Sequence, residues 1–155
     1  FNIVLGVGSS GPTTKWGVSN YSNLINKLNL ENNFYFYLLC GKNESNVPNE
    51  IIDKIVKKNC SSLHNMTIKQ LIPILTSCDM YVGNDSFGSH ITSQSGIKSI
   101  VILLDSPRAY TDYSKNFCRI IPRGFDIDKI THGSNADPNL VLVEDVIKNI
   151  NRLKN

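Results

Sequence analysis

Apolar residues fall along this chain in short blocks of two alternating periods. Asn2 to Val7 (NIVLGV), Phe34 to Leu39 (FYFYLL), Met80 to Val82 and Lys98 to Leu104 (KSIVILL) are near-continuous runs of strand length, as expected of strands covered on both faces. Between them, Tyr21, Leu24, Ile25 and Leu28 recur at i, i+3, i+4, i+7, one face of a helix that Ser19 is placed to cap. Pro48 suits the first turn of a second helix with Ile51, Ile52, Ile55 and Val56 inward. Ser62 to His64 reads as a short third strand. Thr67 then caps a helix with Ile68, Leu71, Ile72 and Leu75 inward, which Pro73 is expected to kink or to cut after its first turn. Gly83 to Ser86 is a turn leading into a helix from about Phe87 to Ser95. After a polar loop over 105–116, Phe117 to Ile121 is a short strand, and Val143, Val146, Ile147, Ile150 and Leu153 mark a closing helix. Strands alternating with helices predict an α/β fold, a Rossmann-like domain with a mainly parallel sheet.

Length and composition narrow this without changing it. The 155 residues fit one domain, and 41% hydrophobic with 19% charged is an ordinary globular balance that argues against disorder. The densest apolar stretch, Ile100 to Leu104, is far shorter than the roughly 20 residues of a membrane span. The chain opens on Phe1, without an initiator Met, and runs directly into a strand, as a domain cut from a longer protein would. A net charge of +3 suits a small anionic ligand and lacks the dense basic stripe of a nucleic-acid binder. The group Lys54, Lys57 and Lys58 reads as a solvated helix face. Cys40, Cys60, Cys78 and Cys118 form no C-x-x-C pair, and metal ligands do not cluster; reduced, partly buried thiols of a cytosolic protein are the expectation. Asparagine is so abundant that the sequons at Asn20, Asn43, Asn59, Asn65 and Asn84 carry no implication of glycosylation.

Three polar loops follow strands, where open α/β sheets bind ligands. Gly8-Ser9-Ser10-Gly11-Pro12-Thr13-Thr14-Lys15 offers free N–H groups, hydroxyls and a lysine to a phosphate, although it is neither a Walker A nor a G-x-G-x-x-G sequence. By itself it is also what a plain connection looks like. Gly83-Asn84-Asp85-Ser86-Phe87-Gly88-Ser89-His90 opens a helix, whose first N–H groups suit an anion; a capping role for Asp85 or Ser86 alone explains it equally well. Gly41-Lys42-Asn43-Glu44 places an acid after the second strand, where acids hold ribose hydroxyls or simply face solvent. Asp105, Arg108, Tyr110 and Arg123 could border a ligand, while His132-Gly133-Ser134-Asn135 reads as a turn.

Taken in order, these loops, with Lys15-Trp16, Met66-Thr67-Ile68 and the Asp85 to His90 spacing, resemble the C-terminal half of the family-9 glycosyltransferases, the ADP-heptose:lipopolysaccharide heptosyltransferases. The resemblance covers nearly the whole chain. It implies a GT-B architecture in which residues 1–155 are the C-terminal nucleotide-sugar-binding domain and an N-terminal acceptor domain, holding the general base, lies outside the chain. It implies donor contacts from Gly8, Ser9, Ser10, Lys15, Glu44, Thr67, Asp85, Ser86, Gly88 and His90, with Lys15 and His90 stabilising the leaving diphosphate and no catalytic base, metal or cofactor in this domain. The implied partners are a nucleoside-diphosphate sugar, with ADP-heptose the expected donor, and a lipid-linked or lipopolysaccharide glycan acceptor, at the cytoplasmic side of the inner membrane. Three departures bear on it: Thr14 stands where the family's phosphate lysine usually does, Phe87 replaces a glycine, and Leu104-Asp105-Ser106-Pro107 replaces Phe-Gly-Pro. They leave open a non-catalytic nucleotide- or sugar-binding module, and the fold alone also admits a sugar-nucleotide epimerase.

Overall fold

The computed structural model describes residues 1–30 and 33–154. Six strands, β1 (Asn2–Gly6), β2 (Tyr35–Leu39), β3 (Cys60–Ser62), β4 (Met80–Asn84), β5 (Ser99–Ile102) and β6 (Phe117–Ile120), form one sheet in the order β3-β2-β1-β4-β5-β6. Every pairing is parallel. Five helices connect or close the strands: α1 (Val18–Leu28), α2 (Asn46–Lys54), α3 (Ile68–Ser77), α4 (Phe87–Gln94) and α5 (Val143–Lys154).

Strand alternation divides the core. Ile3, Leu5, Phe36, Leu38, Met80, Val82, Ile100 and Ile102 face one way, against Leu24 and Ile25 of α1, Ile51 of α2 and Val146 and Ile150 of α5. Val4, Leu39 and Tyr81 face the other way, against Leu71 and Leu75 of α3. Burial on both faces is why these strands read as continuous apolar runs.

Local expectations are corrected in several places. Gly17, with φ 98°, precedes α1, and Ser19 is an exposed residue inside it rather than its cap. Ile55 is buried, but Val56 is 88% exposed because α2 ends at Lys54; Lys57 and Lys58 therefore follow the helix instead of lining its face. Ile68 at the first turn of α3 is also exposed, at 65%. Pro73 lies inside α3 without ending it: the helix continues to Ser77, where the Thr76 and Ser77 hydroxyls donate back to Ile72 O and Pro73 O at 2.9 and 2.7 Å. β3 sits two residues earlier than expected, and β5 is shorter than Lys98 to Leu104. β4 absorbs Gly83 and Asn84, so the turn into α4 is only Asp85 and Ser86.

Candidate functional site

In this strand order, β1 is flanked by β2 on one side and β4 on the other, so the connections leaving β1 and β4 diverge and open a crevice at their carboxyl ends. Asn84, the last residue of β4, is fully buried there. Its Oδ1 accepts the Trp16 N–H at 2.9 Å, and its Nδ2 donates to Val7 O at 3.2 Å and Gly8 O at 3.4 Å. One amide thus grips both ends of the glycine-rich loop. The Trp16 N–H, which needs an acceptor, fixes which way the amide points. Tyr21 Oη donates its one proton to Gly6 O at 2.8 Å, beside the same amide. The Trp16 indole, buried completely, donates to Val141 O at 2.9 Å and anchors the far end of the loop.

The loop so held forms one wall of a cleft of about 1200 Å³, to which it contributes Gly8, Ser9, Ser10 and Lys15. Glu44, the Met66 to Lys69 stretch at the start of α3, and Ser86 to Gly88 at the start of α4 form the other walls. Eight of the ten residues expected to bind the donor therefore converge on one cavity. Lys15, and not Thr14, is the side chain that reaches it: the Thr14 hydroxyl is turned inward to Gly11 O at 2.9 Å and Ser9 Oγ at 2.5 Å.

Glu44 is the most heavily engaged group in the cleft. Oε1 lies 2.6 Å from Lys15 Nζ and accepts the Ser9 N–H at 3.3 Å, while Oε2 accepts the Gly41 N–H at 3.2 Å. Partial burial would raise the carboxyl pKa, but the Lys15 ammonium and the two N–H donors outweigh it and hold Glu44 below its usual range. A Cβ on Gly8 would come within 2.4 Å of Glu44 Oε2 and 2.8 Å of Cys40 Cα, so only glycine lets this loop close over the carboxylate. Cys40 also lines the cleft; burial, and then the Glu44 charge, push its thiol up to about 11, which keeps it protonated and non-nucleophilic.

The remaining two expected residues, Asp85 and His90, do not line this cavity. His90 Nδ1 is 2.6 Å from Tyr113 Oη, with the two rings stacked at 24°, and its Nε2 is 3.1 Å from Asp85 Oδ1, off the line of a hydrogen bond. Ser86 caps α4, its N–H donating to Ser89 Oγ at 3.3 Å. Gly88 is required for packing as much as for access, since a Cβ there would meet Leu39 Cδ2 at 2.4 Å and Tyr81 Cε2 at 2.9 Å. Phe87, the departure from glycine, is 43% exposed and stands in the cleft wall.

The sequence pattern marks neither Asn84 as a clamp nor His64 as part of the cleft. Asn84 looked like a turn residue, although a lone amide at the end of an apolar strand is a group that must find buried partners. His64 lines the cleft with Nδ1 2.8 Å from Ser62 Oγ, and no local pattern marked it. Asp105 ties the glycine-rich loop to the 131–136 turn by accepting the Thr13 hydroxyl at 2.5 Å and the Ser134 N–H at 2.7 Å. Arg108 and Arg123 are taken up by ion pairs with Asp112, Asp128 and Asp145, away from the cleft. Tyr110 pairs with His132, Oη to Nε2 at 3.1 Å, and the 132–133 segment is a turn as expected. Among the described residues, no helix is long and apolar enough to cross a membrane.

No curated protein matches the chain in sequence. Solved structures do match it in fold. Heptosyltransferase II of E. coli, an ADP-heptose lipopolysaccharide heptosyltransferase, superposes with a TM-score of 0.81 at 20% identity, over 99% of this chain and 46% of its own. The E. coli heptosyltransferase WaaC with ADP gives 0.80 at 16% identity, over 98% and 44%. A glycosyl transferase family 9 protein of Veillonella parvula gives 0.80 at 16% identity, over 99% and 46%. The chain spans less than half the length of these proteins, and the likeness places its six-stranded parallel Rossmann-like domain as one half of a GT-B heptosyltransferase fold. The model of glycosyltransferase family 9 (heptosyltransferase) matches residues 2–117, three quarters of the sequence, and the chain therefore belongs to that family.

Proposed function

We propose that residues 1–155 are the C-terminal, donor-binding half of a heptosyltransferase, holding a nucleoside-diphosphate sugar, with ADP-heptose as the donor. The observation that carries this reading is the convergence of the Gly8–Lys15 loop, Glu44 and the starts of α3 and α4 on one cleft at the topological switch point. The base lies toward the start of α3, the ribose hydroxyls at Glu44, and the diphosphate between Lys15 and the N–H groups that open α4. WaaC, a relative of the same fold, has been seen with ADP and with ADP-2-deoxy-2-fluoro heptose, which is consistent with this assignment.

The reaction is inverting transfer to a lipopolysaccharide or related lipid-linked glycan on the cytoplasmic side of the inner membrane. An acceptor hydroxyl oxygen bonds to the anomeric carbon as the bond from that carbon to the diphosphate oxygen breaks. The hydroxyl proton passes to a base in the N-terminal domain, and the diphosphate leaves with the electron pair. This chain's share is to stabilise the charge that develops there, through Lys15 and the α4 N–H groups; His90, although expected to help, is turned to Tyr113 outside the cleft.

Calorimetric titration with ADP, ADP-heptose, GDP and UDP tests the reading. Binding of ADP and ADP-heptose in preference to the other nucleotides is expected, without transfer by residues 1–155 alone. Binding of no nucleotide refutes the donor assignment, and robust transfer by this chain alone refutes the placement of the base. Lys15→Ala is expected to weaken ADP binding about tenfold, against about twofold or less for His132→Ala, which lies outside the cleft; equal effects mean the diphosphate is misplaced.

A further inference from the structure

The Glu44 carboxylate already holds what a phosphate would need. Its oxygens take the Lys15 ammonium at 2.6 Å, the Ser9 N–H at 3.3 Å and the Gly41 N–H at 3.2 Å, a cation and two backbone donors from the loops that close the cleft. The site is built for this anion: its side chain is only 18% exposed, and Gly8 is glycine where any Cβ would collide with Oε2. A diphosphate entering among the same donors meets a like charge and must displace it. A carboxylate gives up charge-assisted hydrogen bonds only for replacements of similar kind, and a vicinal diol supplies two O–H donors at the spacing of its two oxygens.

We propose that Glu44 is a specificity-determining residue: its carboxylate holds the phosphate-binding donors and releases them only to a ligand whose vicinal hydroxyls take it up. The cleft then selects ribonucleoside diphosphates over free pyrophosphate and over 2′-deoxy analogues. Lys15 and Glu44 exchange partners together, the lysine passing to the diphosphate as the carboxylate passes to the ribose. This rests on reading the cleft as a nucleotide site, but it predicts behaviour toward a ligand with no nucleoside at all.

The test is calorimetric titration of the wild-type chain, E44Q and E44A with inorganic pyrophosphate, ADP and 2′-deoxy-ADP. Removing the charge should tighten pyrophosphate binding by about tenfold while ADP binding weakens. The preference for ADP over 2′-deoxy-ADP should shrink in the same variants. E44A carries the same expectation, so the outcome does not depend on the fold of a single variant. If wild type binds ADP and neither variant gains pyrophosphate affinity, Glu44 is not an internal competitor and the proposal falls alone. If the variants gain pyrophosphate while wild type binds no nucleotide, the competitor role stands and the nucleotide reading falls. If neither occurs, both fall.

Discussion

Asn84→Ala is the substitution that best separates a loop held from β4 from a loop that holds itself. Asn84 is fully buried, so truncation leaves the groups it bonds shut off from bulk water. The Trp16 N–H loses its acceptor at 2.9 Å, Val7 O loses a donor at 3.2 Å, and Gly8 O loses a longer contact at 3.4 Å. Tyr21 keeps its bond to Gly6 O, so it adds little. Two firmly buried groups left without partners cost about 1–3 kcal/mol each, so a loss of roughly 2–4 kcal/mol is expected, allowing for partial relaxation of the loop. For a chain of this size that is a fall in Tm of roughly 4–16 °C, with a matching shift of the urea midpoint at unchanged slope. ADP affinity should fall as well, measured under conditions where the variant is still folded, because the loop carrying Ser9, Ser10 and Lys15 loses its ties to β4 at both ends and keeps there those to Leu39 and Val141. Asn84→Asp keeps the acceptor for Trp16 but sets a carboxylate against two carbonyl oxygens, and should destabilise at least as much at neutral pH. A loss below about 0.5 kcal/mol in Asn84→Ala, the range of ordinary surface substitutions, would refute the argument that this amide clamps the loop.

Gly88→Ala places a methyl 2.4 Å from Leu39 Cδ2 and 2.9 Å from the Tyr81 ring, so chemical denaturation should show a loss of about 1–3 kcal/mol, and an unchanged midpoint would show that α4 moves aside freely. Asp105 gives a pH signature. Burial raises its pKa, but the Thr13 hydroxyl and the N–H groups of Ser134, Gly133 and Asn135 hold it below the ordinary carboxylate value. A depressed folded pKa gives stability that is complete above the unfolded value of 3.8 and is lost as pH falls through the folded value. The stability gap between wild type and Asp105→Asn, read from urea midpoints, should therefore be larger at pH 7 than at pH 3; a gap independent of pH would show that the charge plays no part.

The class of fold was legible in the chain because its cause is local. Continuous apolar runs and i, i+3, i+4 faces record burial on both sides of a parallel sheet, and β1, β2, β4, β5, α1 and α5 lie close to where those runs placed them. Element ends were less legible. Val56 continues a hydrophobic rhythm beyond the end of α2 at Lys54, and Ile68, the first residue of α3, continues it onto an exposed turn; periodicity carries no record of where a helix stops or of where its first turn is left uncovered. Most of the candidate site was also written in the sequence, since Gly/Ser loops, an acid after the second strand and a helix opening on Asp-Ser are each short-range patterns. Tertiary structure decided what those residues do to one another. Lys15 and Glu44, 29 positions apart, become an ion pair only when β1 and β2 lie side by side and bring their following loops to the same edge. Asn84 becomes the clamp of a loop that begins 76 residues earlier because β4 pairs with β1 across the switch point. His90 turns to Tyr113 because α4 and the loop after β5 meet in space. Sequence fixes which groups are available to bind an anion; the strand order β3-β2-β1-β4-β5-β6 decides which of them meet.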